Sequence, residues 1–143
     1  MDIGKFHVLL VHFPIALGVA AAVADLLWVL TRRMLFRHAA VYCLAAALTA
    51  APAVVTTGLF RLHELHLPPD VADVAEDHEH AGLATLGVVI AAAVARVAWR
   101  RSQKKWLLVL YGILIAGLVV SVSIAGHLGG KISLGLDYFQ GVL

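Results

Sequence analysis

HVLLVHFPIAL, residues 7–17, sets two histidines and a proline at the mouth of the first long apolar segment. A segment that only has to fill a bilayer has little use for imidazole, and proline interrupts its hydrogen-bond ladder. The apolar run says membrane helix, and the exceptions inside it say that this end of the helix has a further task. The run is long for a signal peptide and shows no cleavage site, so the segment reads as retained.

Outward from this stretch the same character continues. The 143 residues are 62% hydrophobic with a mean hydropathy of +0.91, well above the roughly 45–50% apolar content of soluble domains. The chain therefore reads as an integral membrane protein. Its formal charge of +2 is small and its basic residues are clustered, which argues against nucleic acid as a partner. Cys43, alone of its kind, permits no internal disulfide, and no CxxCH is present for covalent haem attachment. It reads as a small buried hydrophobe.

Windows of about 19 residues draw four apolar segments near 8–30, 38–60, 81–99 and 106–127, each close to the length that crosses the hydrocarbon core. Two short connections make two antiparallel hairpins, and the expected fold is an all-α, up-and-down four-helix bundle forming one domain over 1–143. Arg32, Arg33 and Arg37 flank the first connection, and Arg96, Arg100, Arg101, Lys104 and Lys105 flank the second, while the loop at 61–79 is acidic. The positive-inside rule then puts both termini and that loop on the periplasmic side of a bacterial inner membrane. Trp28, Trp99 and Trp106 fall at the cytoplasmic ends. Pro14 either starts the first helix or kinks it, and either way His12 is expected to point into the bundle. Asp25, an acid well inside a segment, reads equally as an ion-pair partner for Arg32 or Arg33 or as a proton site. No internal repeat stands out beyond the alanine bias, although paired hairpins are what an old duplication would leave.

Seven of the eight histidines, all but His38, map to the outer ends of the helices or to the outer loop. One such residue would be an ordinary interfacial side chain, but seven at one level point to a ligand. Neutral imidazole is the commonest protein ligand for transition metals and fills the axial positions of haem iron. Opposed histidines on diagonal helices, His12 with His78 or His80 and His63 with His127, would suit haem, with Arg61 and Lys131 at the depth of its propionates. A zinc or copper site would instead need three or four donors at about 2.0–2.1 Å, which HELH at 63–66 and HEH at 78–80 offer. HELH is not HExxH, and a zinc protease is not indicated. Gly58, Gly126, Gly129 and Gly130 read as helix terminators or as clearance for a bulky group beside His127.

The stretches HVLLVHFPIAL, TG at 57–58, DHEHAG at 77–82 and GHLGGKISLGLDYF at 126–139 resemble the motifs of the four-helix bacterial membrane family called domain of unknown function 2231, and most closely its histidine-rich branch. Some members of that branch are fused to c-type cytochrome domains. The resemblance covers nearly the whole chain, and the recurrent histidines of the branch match His7, His12, His78 and His127. It implies b-type haem, one or two per chain, and membrane electron transfer. Val8 stands where the family often has proline, and Leu134 where a further histidine often follows GHLGG. His63, His66 and His80 lie outside the matched pattern.

The resulting expectation is a membrane-bound b-type cytochrome with His12, His78, His127 and His7 as haem-iron candidates and His80 and His63 as weaker ones. It would be an electron-transfer subunit more than a catalyst by itself. Its partners would be membrane lipid and a periplasmic cytochrome, a membrane oxidoreductase or quinone, within a homo- or hetero-oligomer. The competing classes are a copper, zinc or iron binding or transport protein and a cofactor-free anchor subunit.

Overall fold

The computed structural model describes residues 3–64 and 67–136. Five helices follow in order: α1 (Ile3–Leu10), α2 (His12–Thr31), α3 (Met34–Glu64), α4 (Pro69–Ser102) and α5 (Lys105–Leu134). Four stretches are long and apolar enough to cross a membrane: Phe6–Thr31, Met34–Leu62, Pro69–Ser102 and Lys105–Leu134. Their windows reach mean hydropathies of 2.1, 1.8, 2.0 and 2.6. The α2–α3 and α4–α5 hairpins pack side by side, α3 against α4 and α2 against α5, so α2 lies diagonal to α4 and α3 to α5.

Local chemistry explains where the helices begin and end. Pro14 has no N–H to give Leu10, and the helix breaks at Val11, although Val11 stays in helical geometry and its N–H still reaches the His7 carbonyl at 2.9 Å. α4 begins much earlier than the apolar segment it carries. Pro69 takes a first-turn position, where a missing N–H is harmless, and Asp70 complements the helix dipole. Much of the stretch read as a polar loop is therefore helical backbone continuous with the third span.

The core is built from small residues facing one another. Ala21 and Ala92 are fully buried, and Leu44, Ala47, Ala51, Val89, Ala95, Tyr111, Ile115, Leu118 and Val122 complete the cluster. Outward faces carry Leu30, Leu35, Val97, Val109, Ile113 and Val120, all exposed. That distribution suits a lipid surround, where the hydrophobic effect does not separate inside from outside and close backbone approach holds helices together.

The two hairpins repeat one another at an offset of 71 residues, which the alanine bias masked in the sequence. The C-caps Arg32 and Gln103 are left-handed, with φ of 58° and 55°, and each N–H bonds a tryptophan carbonyl, Trp28 at 2.8 Å and Trp99 at 2.7 Å. Thr31 Oγ1–H donates to the Leu27 carbonyl and Ser102 Oγ–H to that of Ala98. Buried residues pair off at the same offset: Ala21 with Ala92, Ala24 with Ala95, Leu44 with Ile115, Ala47 with Leu118, and Ala51 with Val122. AAAVA followed by tryptophan four residues on, at 20–28 and again at 91–99, is the clearest trace in the letters.

Candidate site: a paired imidazole at the end of the bundle

His7 on α1 and His78 on α4 come together, with ring centres 6.2 Å apart and planes crossing at 79°. They are equivalent positions of the repeat, and their surroundings are equivalent too. Nδ1 of His7 lies 3.0 Å from the Val54 carbonyl on α3, and Nδ1 of His78 lies 3.0 Å from the Ala125 carbonyl on α5. A carbonyl only accepts, so Nδ1 carries the proton in both rings, and in the neutral ring Nε2 keeps its lone pair. A backbone carbonyl bound at one nitrogen is the arrangement that fixes a ligating histidine at the other.

One helical turn beyond each carbonyl stands a glycine. A Cβ at Gly58 would lie 2.8 Å from Cε1 of His7, and one at Gly129 would lie 3.0 Å from Cε1 of His78. Both glycines sit inside helices and do not end them; α5 ends at Gly135, at φ 108°. Their absent side chains let each imidazole lie against the neighbouring helix closely enough to reach its carbonyl. At Gly126 a Cβ would meet nothing within 4 Å.

The other candidates are placed differently. His12, expected to face inward, is exposed on α2. The buried positions of α2 include Pro14, Gly18 and Ala21, and a residue two before Pro14 lies about 200° round the helix. His12 instead borders a shallow apolar groove with Phe13, Ala16 and Leu17. His80 and His127 are exposed on α4 and α5, and His38 is exposed at the opposite end. His66 and the side chain of His63 lie outside the described residues. Among the described residues no group of three or more His, Cys, Asp or Glu side chains is placed to hold a metal ion.

Asp25 pairs neither with Arg32 nor with Arg33, which lie at and beyond the end of its helix. Its partner is Arg96 across the bundle, whose guanidinium donates to Oδ1 at 2.9 Å and Oδ2 at 2.8 Å and to the Arg37 carbonyl at 3.3 Å. The Tyr111 hydroxyl joins both. Arg96 is only 4% exposed, and its Nε has no hydrogen-bond partner among the described residues. Beside it the Arg37 guanidinium stands 5.5 Å from the ring centres of both Trp28 and Trp99, which are 6.0 Å from each other. Three pairs of repeat mates thus meet: His7 with His78, Asp25 with Arg96, and Trp28 with Trp99. A residue that touches its own mate sits on the twofold axis, so these pairs mark a pseudo-dyad along the length of the bundle.

The fold and this geometry define a four-helix membrane protein with a paired-histidine site on an internal twofold axis. A family model described as "Predicted membrane protein (DUF2231)" matches residues 5–137, and the chain belongs to that family. No curated protein and no solved structure matches it.

Proposed function

We propose that the protein is a membrane-bound b-type cytochrome that holds haem between His7 and His78 and relays electrons at the periplasmic face. The observation that carries this reading is the symmetric pair itself: two rings from different helices, each fixed at Nδ1 by a carbonyl, each seated over a glycine, and both with Nε2 as the remaining donor. The two rings stand 6.2 Å apart, centre to centre.

Two protein donors are few for zinc, which takes three or four, but they are enough for haem, whose macrocycle supplies the other four. The group would bring a reversible one-electron couple, and His7 and His78 would be the residues that hold it. The chain's own residues do the rest. Val54 and Ala125 hold the imidazole tautomers, Gly58 and Gly129 admit the rings, and Arg61 and Lys131, within one turn of those glycines, offer cations at the rim. Because the pair lies on the axis, the reading implies one haem per chain. Its partners in this reading are a periplasmic cytochrome, a membrane oxidoreductase or quinone.

The test is a reduced-minus-oxidised spectrum and a pyridine haemochrome assay on detergent-purified protein produced with ample haem. His7→Ala and His78→Ala are each expected to lose the b-type spectrum, while His12→Ala and His127→Ala keep it. A protein without haem overturns the cytochrome reading. Retained copper or zinc in that protein, lost in His7→Ala, would assign the pair to metal handling instead.

A further inference from the structure

We infer that the chain is two copies of one hairpin module fused in tandem, and that Asp25 and Arg96 form the lock by which each half selects the other. Repeat mates that meet on a twofold axis would, in a dimer of identical hairpins, be the same residue facing itself. His7 with His78 and Trp28 with Trp99 keep that identity, and neutral rings tolerate it. At the third position the mates have opposite charge, with Arg96 reaching both carboxylate oxygens of Asp25.

Two first hairpins would set aspartate against aspartate here, and two second hairpins arginine against arginine. In a medium of low dielectric like charges repel strongly, and each ion would also be buried without the counter-charge that offsets its desolvation. Only the unlike combination closes, so the pair adds selectivity as well as attraction. The halves meet along the α3–α4 and α2–α5 seams with the Asp25–Arg96 pair reaching across between them, and the partner this surface fits is the other half of the same chain.

The symmetry also says what an exchange of the two charges would meet. Arg96 takes the Arg37 carbonyl on α3. The position 71 residues on from Arg37 is Leu108 on α5, so an arginine placed at 25 finds the Leu108 carbonyl in the equivalent place. Tyr111 remains beside position 96, where its hydroxyl can donate to an aspartate.

The test compares full-length Asp25→Arg, Arg96→Asp and the double exchange D25R/R96D in detergent. Each single change is expected to lower the thermal midpoint by roughly 10 °C or more, as for a buried ion left unpaired, and the double to recover more than half of that loss. A readout independent of stability uses Thr31→Cys with Ser102→Cys, exposed positions one turn beyond the meeting Trp28 and Trp99, in a Cys43→Ala chain treated with a bismaleimide in the membrane. Cross-links within one chain are expected for the parent and for the double exchange. Each single change leaves like charges at both positions, so no combination within or between chains closes and the cross-link is expected to be lost. A double exchange that recovers neither the midpoint nor the within-chain link overturns the lock. None of these readouts depends on what the histidine pair binds.

Discussion

A methyl group at Gly58 or Gly129 would press on the imidazole of His7 or His78, at 2.8 and 3.0 Å from Cε1. Two effects then oppose each other. Alanine in a helix interior gains about 0.8–1.0 kcal/mol over glycine, while overpacking costs about 1–3 kcal/mol. The net change in stability is small, but the ring has to leave its carbonyl. Gly58→Ala and Gly129→Ala are therefore expected to keep the fold, with thermal midpoints within a few degrees of the parent, and to lose most of the bound haem or metal. Gly87→Ala is the comparison, because a Cβ there meets nothing within 4 Å. It should leave the spectrum unchanged and raise the midpoint slightly. Equal ligand retention in all three variants would show that the glycines do not seat the site.

The helices differ in how their ends are made, and this can be tested element by element. Arg32 and Gln103 hold left-handed backbone that glycine adopts more readily. Gln103→Gly is expected to stabilise the α4–α5 turn by about 0.5–1 kcal/mol, read as a higher thermal midpoint; a lower midpoint would mean that the glutamine side-chain bonds to the Trp99 and Arg100 carbonyls outweigh the strain. Pro14 breaks the first span, whereas its repeat mate Thr85 lies in unbroken α4 and bonds the Ala81 carbonyl. Pro14→Ala should join α1 to α2 with little change in stability. A fall in haem or metal content in that variant would assign the break a part in aiming His7.

At the scale of the whole molecule, one end of the bundle carries the paired histidines and the other the basic turns with Arg32, Arg33, Arg100, Arg101, Lys104 and Lys105. The positive-inside rule predicts that the basic end faces the cytoplasm. A cysteine at Ser102 should react with an impermeant maleimide only after the cells are opened, and one at Asp73 should react in intact cells. The reverse pattern would place the histidine pair on the cytoplasmic side and remove periplasmic partners from the proposed function.

The sequence by itself determined the four apolar spans, the two hairpins, the up-and-down order and the clustering of histidines at one end. Each of these depends on composition and period along the chain, and a bilayer leaves few other ways to satisfy a backbone. It also held the repeat, in AAAVA and its following tryptophan, although alanine is too common here for that echo to stand out. Only the tertiary structure decided which histidines meet. His7 and His78 belong to different hairpins, and their meeting depends on the angular position of each helix, which the packing of the alanine-rich core sets. The outward turn of His12 and the pairing of Asp25 with Arg96 have the same cause. Small side chains pack by backbone shape, and that shape exists only once the four helices are together.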